Sequence, residues 1–271
     1  MARIACVHIS SFPLQLLLKQ HPDWASRPVA VVAEEKPQAA VLCVNEKARG
    51  AGIFPGMRFA AAASLTHQLR AAAVSAAEIE REAKMLRNRL VRFSPQVEPS
   101  REEPGVFWLS IAGFRLLYPS LQDWARTVRA DIQAQGFDGS VAAGWTRFGT
   151  YAAAKVRRGI TVFEDCDIER AATGEIPLDA LNLDCELRET LLKLGIKTVG
   201  AFLGLPPGGL YERFGAEAYR LYRMAAGESW TALRPEKPEI PVAQKIFLDE
   251  PEAEATRLLF LIKSSLHPML N

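Results

Sequence analysis

An apolar strand, a short helix and a second strand follow one another without a gap at the start of the chain. In Arg3-Ile4-Ala5-Cys6-Val7-His8-Ile9-Ser10-Ser11-Phe12, Ile4, Val7 and Ile9 mark the strand. The run Leu14, Leu16, Leu17, Leu18 predicts a helix, and Pro28 introduces the β-branched strand Val29-Ala30-Val31-Val32. Residues two apart on a strand project to the same side, so His8 and Ser10 are expected next to each other at the mouth beyond the first strand. Such a position suits chemistry, and the rest of the sequence decides which chemistry is open to it.

With 271 residues, 49% hydrophobic and 24% charged, the chain has the make-up of a globular protein of two or three domains. A net charge of +2 permits nucleic-acid binding without demanding it. Cys6, Cys43, Cys166 and Cys185 form no CxxC pair, which suggests neither a zinc site nor a disulfide framework and makes a reducing cytoplasm the simplest setting. No signal peptide is read at the start, and no run approaches the roughly 20 apolar residues of a membrane span.

Residues 11–73 read as short, alanine-rich elements, with a strand at 41–44 and a short helix through Asn45-Glu46-Lys47-Ala48-Arg49. Ser75-Ala76-Ala77-Glu78 is a capping box. The helix it opens carries Ile79, Ala83, Leu86 and Leu90 on one face and Arg81, Lys84, Arg87 and Arg89 on the other, ending before Pro95. Strands follow at 96–98 and 106–111, and the turn between them carries Glu102 and Glu103 beside Pro104 and Gly105, which reads as an exposed acidic loop. Ser120 caps a helix striped with Leu121, Trp124, Val128 and Ile132; a strand at 140–144 and a helix ending near Arg157 and Arg158 come next. This order implies an α+β layer with helices on one face. From Ile168 onward the pattern is helical: Leu187, Leu191 and Leu194 build one helix, Gly195 closes it, and another runs past Leu221 and Tyr222 to Gly227. A Pro- and charge-rich linker at 235–241 leads to an expected strand at 242–248 and an amphipathic helix at 253–266.

These features resemble the Y-family translesion DNA polymerases. Their opening pattern V-D-x-D-x-F-F, an N-P turn and x-P-I-A-V is matched from Val7 to Val31, with Phe12, Pro22 and Pro28 in register, but both aspartates are replaced, by His8 and Ser10. Magnesium takes oxygen ligands in octahedral geometry, and a two-metal phosphoryl transfer needs several carboxylates; imidazole and hydroxyl supply neither charge nor bridging oxygens. The family's N-Y-x-A-R-x-x-G-V stretch, whose Tyr and Arg contact a triphosphate, is similar to residues 45–53, with Arg49 kept and Glu46 in place of the Tyr. A carboxylate facing a polyphosphate is repulsive. The family's S-x-D-E hairpin falls on Glu102 and Glu103 if aligned on Val97-Glu98-Pro99, and on Gly105 and Val106 if aligned on the second strand. Lys155 stands where the family has a triphosphate-contacting lysine, flanked by Arg147, Arg157 and Arg158.

The resemblance implies a palm at 1–10 and 74–166, fingers at 11–73, a helical thumb at 167–234 and the start of a little finger at 242–271, which implies further chain beyond Asn271. In the thumb the best match runs from Leu191 to Gly200, so Lys193, Gly195 and Lys197 join Lys84, Arg87, Arg147, Arg157 and Arg158 as candidate DNA contacts. The phosphate-binding turn of its helix-hairpin-helix falls on Asn182-Leu183-Asp184, where Asp184 would repel a phosphate. Loss of the carboxylates resembles the ImuB-type branch, inactive homologues in the bacterial mutasome. That branch implies no catalysis, no metal and no cofactor, weak sequence-independent DNA binding, and a scaffold role in SOS-type mutagenesis. Its partners would be an ImuA-type protein, an error-prone replicative-type polymerase and the sliding clamp. An active polymerase with unfamiliar ligands and a simple DNA-binding module are the alternatives.

Overall fold

The computed structural model describes residues 3–181, 183–228, 233–235 and 253–266. The elements run β1 (Ile4–Ile9), α1 (Phe12–Gln20), β2 (Val29–Val32), β3 (Val41–Val44), α2 (Glu46–Gly50), α3 (Phe59–Leu65), β4 (Arg70–Ala73), α4 (Ala76–Leu90), β5 (Val97–Pro99) and β6 (Val106–Ser110). They continue with α5 (Leu121–Ala134), β7 (Gly139–Gly144), α6 (Arg147–Val156), β8 (Ile160–Val162), α7 (Cys166–Gly174), α8 (Cys185–Lys193), α9 (Val199–Leu203), α10 (Leu210–Ala225) and α11 (Ala255–Leu266). The mixed α+β class expected from the sequence is the one observed.

A five-stranded sheet in the order β5-β6-β1-β7-β8 places β1 at its centre, antiparallel to β6 and β7. Alternation along β1 sends Ala5, Val7 and Ile9 into one core with Phe107, Leu109, Val141, Trp124, Val128 and Leu86, where α4 and α5 cover the sheet. Cys6 faces the opposite side with Val106, Ala142, Ala153 and Ala154, beneath α6. The sheet is therefore covered on both faces, whereas the sequence pattern predicts helices on one. Small residues on β7 and α6 allow that close approach.

The capping box at Ser75 forms as expected: the Ser75 hydroxyl accepts from the Glu78 N–H at 3.2 Å, and the Glu78 carboxylate accepts from the Ser75 N–H at 2.9 Å. A cap of this kind stabilises a helix by about 1 kcal/mol. A second, three-stranded sheet in the order β3-β2-β4 packs Ala30, Val32, Val41, Val44, Ile53 and Ala62 into its own small core. The Asn45 side chain holds its end, accepting from the N–H groups of Ala48 at 2.9 Å and Val29 at 3.0 Å.

Helices α7 to α10 gather around Leu187, Leu191, Val199, Phe202, Leu210 and Leu221, and Phe148 and Ala152 of α6 belong to the same core. This helical group is thus packed directly on the α6 face of the main sheet. Gly215 breaks α10 with φ 82° and ψ −178°, a backbone open to glycine but costly for other residues. Gly195, with φ 77°, closes α8 as the sequence predicts.

Residues up to 236 form one compact unit and residues 237–271 a second. Of the second unit the structure describes α11 and its flank, with Leu259, Phe260 and Ile262 exposed. The strand expected at 242–248, most of the linker at 235–241, and Asn182 lie outside the described residues. Among the described residues no helix is long and apolar enough to cross a membrane.

Candidate functional site

The candidate site lies between the β5–β6 hairpin and α6. Arg147, Tyr151 and Lys155 are spaced four apart on α6 and so stand on one stripe of the helix, facing the hairpin. Lys155 Nζ donates to Glu103 Oε1 at 2.7 Å, and the Tyr151 hydroxyl donates to Glu103 Oε2 at 2.5 Å. Lys155 Nζ also lies 2.9 Å from the Tyr151 oxygen. His8 completes the group, its Nε2 3.7 Å from Glu103 Oε1. Burial works against ionisation of Glu103, yet its contacts with His8, Lys155 and Tyr151 hold the carboxyl down at about 2.

One end of the stripe is equally engaged. The Arg147 guanidinium makes two bonds to Glu98, at 2.9 Å and 2.5 Å, and stacks 4.0 Å from the Trp108 ring centre. Burial again opposes ionisation of Glu98, but Arg147 and the Arg234 N–H, which donates to it at 2.7 Å, keep its carboxyl below the usual range. Glu102, at the hairpin tip, accepts from Arg220 of α10 at 2.7 Å.

These positions correct several sequence readings. His8 does not stand at an open mouth beside Ser10: it is only 7% exposed on the central strand under α6, while Ser10 has left the strand and is exposed. Glu102 is exposed as expected, but Glu103 is folded inward, because Lys155, Tyr151 and His8 offer its oxygens better partners than the acidic turn alone suggests. Aligned on the second strand, the family's acid positions fall on Val106, which pairs with His8 across β1 and β6, and on Gly105. Gly105 has φ 89°, its carbonyl accepts from the Ile9 N–H at 2.9 Å, and a side chain there would meet Phe12 Cβ at 2.8 Å and the Ile9 carbonyl at 2.9 Å. A side chain at position 105 would be strained, and the carboxylate that this site does hold, Glu103, comes from the turn.

The other candidates are scattered. Phe12, read as a remnant of a nucleotide site, is 1% exposed in the main core, its ring centre 5.3 Å from that of Phe137. Arg87, read as a surface cation, is 2% exposed because α4 turns that position inward beside Leu86 and Leu90. Lys84 and Arg49 are exposed. Glu46 and Arg158 meet at 3.4 Å while both remain almost fully exposed, and Arg157 lies 5.9 Å from the Phe163 ring centre. Lys193 pairs loosely with Glu189 at 3.8 Å, and Gly195 and Lys197 are exposed nearby.

At the expected phosphate turn, Asp184 caps α8 by accepting from the Glu186 N–H at 2.8 Å, and its own N–H donates to Glu217 at 3.1 Å. Asp184, Glu186 and Glu217 line a cleft of about 340 Å³ together with Arg213. Three carboxylates against one guanidinium make this a poor seat for a phosphate.

Sequence reasoning missed Tyr151, Glu98 and Arg220. The signal for Tyr151 was available, since it lies midway between Arg147 and Lys155 at helical spacing. Nothing local in the sequence pairs Arg220 with Glu102, which are 118 positions apart.

A magnesium pair does not fit the donors assembled here. Glu103 is the one carboxylate beside His8, its oxygens bonded to an ammonium and a phenol, while Glu98 and Glu102 each carry an arginine. Among the described residues no three or more His, Cys, Asp or Glu side chains converge as a cation site requires.

The fold matches solved Y-family polymerases. An insertion ternary complex of Dbh DNA polymerase superposes with a TM-score of 0.69 at 17% identity, covering 85% of this chain and 69% of that one. DinB from Sulfolobus solfataricus gives 0.70 at 16% identity, covering 86% and 69%. The likeness is to a mixed α/β fold that covers the palm, fingers and thumb of those enzymes. In sequence, the DNA polymerase IV of Moorella thermoacetica is 28% identical over 221 residues, 79% of this chain. The chain spans 54% of the length of that relative. The DNA polymerase IV of Legionella pneumophila strain Philadelphia 1 is 24% identical over 259 residues, which is 93% of this chain and 72% of the relative. Residues 7–156, more than half of the chain, match the model of the impB/mucB/samB family, and the chain belongs to that family of Y-family polymerase homologues.

Proposed function

We propose that this chain is a non-catalytic Y-family homologue of the ImuB type, acting as a scaffold in DNA damage tolerance and induced mutagenesis. The observation that carries this reading is the Lys155 ammonium bonded at 2.7 Å to Glu103, the one hairpin carboxylate near His8. The carboxylate is already neutralised by a monovalent cation, and His8 and Ser10 add no negative charge to draw in divalent ions. The fold is kept while the donor set is lost, which favours a role exercised through surfaces. Partners on this reading are an ImuA-type protein, an error-prone replicative-type polymerase and the sliding clamp. DNA is bound weakly and without sequence preference, with a slope of log affinity against log salt shallower than about −5.

The name DNA polymerase IV carried by the relatives supports a second reading, an active polymerase with altered ligands. Primer extension by the full-length protein with magnesium or manganese separates the two. The scaffold reading expects no template-dependent incorporation at any metal concentration, with damage-induced mutagenesis in cells still requiring the folded protein. Incorporation that persists in His8→Ala would establish catalysis by other groups and end the scaffold reading.

A further inference from the structure

The β5–β6 hairpin bears three carboxylates, and each is bonded to a different cation from the helical side of the molecule. Glu98 holds Arg147 and Glu103 holds Lys155, both on α6; Glu102 holds Arg220 on α10. Two of these cations, Arg147 and Lys155, are among those that sequence reasoning offers to nucleic acid or nucleotide. None of the three pairs is local in sequence: they span 49, 52 and 118 positions. The pairs grade from inside to outside. The Lys155–Glu103 side chains are 15% and 22% exposed, those of Arg147 and Glu98 28% and 16%, and those of Arg220 and Glu102 57% and 71%. An exposed pair is worth little and exchanges readily with another anion, whereas an enclosed pair resists exchange because separation leaves a desolvated charge.

We propose that the acidic hairpin is a built-in competitor for nucleic-acid phosphate. Glu98, Glu102 and Glu103 occupy Arg147, Arg220 and Lys155 one carboxylate to one cation, and a backbone phosphate reaches those cations only by displacing a carboxylate. Arg220 is the first to be exchanged, and Lys155 is held back by Tyr151 as well as by Glu103. The inference rests on the weak DNA binding proposed above and supplies its cause: the binding face is neutralised from within rather than stripped of positive charge.

The test is duplex DNA binding by the full-length protein across a salt series. Each cation released to phosphate steepens the slope of log affinity against log salt by about 0.9. Glu102→Gln, an exposed change that leaves the fold intact, is expected to tighten binding at low salt and steepen the slope by about that amount. Adding Glu98→Gln and Glu103→Gln is expected to steepen it further. The decisive control compares Arg220→Gln with Arg126→Gln, an exposed cation on α5, each in the Glu102→Gln background: both restore the wild-type net charge, and only loss of Arg220 must return the slope to the wild-type value. An unchanged slope in Glu102→Gln, or a gain that survives loss of Arg220, overturns the proposal. Tight binding by residues 1–271 alone with a slope steeper than about −5 would instead overturn the reading of weak binding on which it rests.

Discussion

Lys155 Nζ lies 2.7 Å from Glu103 Oε1, and the two side chains reach each other from α6 and from a turn 52 positions earlier. Neither is exposed enough for water to screen the pair fully, at 15% and 22%. The carboxylate needs this partner: without it, an ionised group would stand half-enclosed beside an imidazole and a phenol. The same bond that satisfies Glu103 also withdraws Lys155 from any phosphate. Stability and the availability of Lys155 to a phosphate are therefore linked through a single contact.

Lys155→Met keeps the length and apolar stem of the side chain but removes the ammonium. It is expected to cost roughly 3 kcal/mol at neutral pH, the lower end of the roughly 3–5 kcal/mol for leaving one member of a buried pair unmatched, because this pair is partly exposed. Combined with Glu103→Gln, the loss should fall short of the sum of the two single losses by at least about 1 kcal/mol, because the residues touch. Urea unfolding of the four proteins measures this coupling, and strict additivity would show the pair to be energetically idle.

The acid range gives an independent reading of the same carboxyl. Glu103 titrates at about 2 in the fold against an ordinary value of 4.5, so its folded value is depressed. A depressed carboxyl contributes stability that is complete above about pH 4.5 and is lost as pH falls toward 2. The difference corresponds to on the order of 3 kcal/mol. The stability gap between wild type and Glu103→Gln should therefore be constant above pH 5 and close progressively between pH 4.5 and 2, as followed by denaturant unfolding at fixed ionic strength. A gap that does not change with pH would mean that Glu103 is held by packing rather than by charge.

Local pattern made much of the fold legible. Ile4, Val7 and Ile9, the Ser75 capping box and the stripe from Leu121 to Ile132 each gave an element that the structure contains. The candidate site was only half legible. Loss of acid at positions 8 and 10 is visible in the chain, but the fate of Glu103 depends on Tyr151 and Lys155 meeting it across the sheet, and that is set by tertiary register. Arg87 was misplaced for a related reason: α4 follows its apolar stripe only approximately, and the long side chain is folded into the layer rather than out of it.

Restoring the two aspartates alone is not expected to restore chemistry. In His8→Asp/Ser10→Asp, Lys155 still neutralises Glu103, and the other possible acid positions still hold Gly105 and Val106, which carry no carboxylate. Primer extension by this double variant should remain at the background of a no-enzyme control with magnesium or manganese. Incorporation above that background would show that Lys155 yields its partner to a metal ion, contrary to the geometry.

In the thumb, Leu191 is 1% exposed among Leu187, Val199 and Phe202. Leu191→Ala removes buried methyl groups and is expected to cost roughly 2–5 kcal/mol. That is a large part of the stability of an ordinary domain. Thermal unfolding should show the loss, and partner binding by the folded fraction should be unaltered. A loss below about 1 kcal/mol would mean that the thumb collapses around the gap.

The last prediction concerns the packing of α7 on the start of α6, where a buried carboxylate is given room by glycine. Glu169 on α7 is 2% exposed and accepts from the N–H groups of Trp145 at 2.6 Å and Thr146 at 3.0 Å, and from the Thr146 hydroxyl. A helix start offers unsatisfied N–H groups and a favourable dipole, so an enclosed carboxylate is stable there. Gly149 lies against that carboxylate, and a methyl group at position 149 would collide with it. Gly149→Ala should normally favour a helix by up to about 1 kcal/mol, but here it is expected to destabilise by roughly 1–3 kcal/mol. In a Glu169→Ala background the nearer of the two colliding groups is gone and only the Thr146 hydroxyl, 2.7 Å from the added methyl, remains, so the same substitution should cost less. Thermal or urea unfolding of the four proteins decides the matter: a Gly149→Ala penalty of equal size with and without Glu169 would show that the glycine is required by something other than this carboxylate.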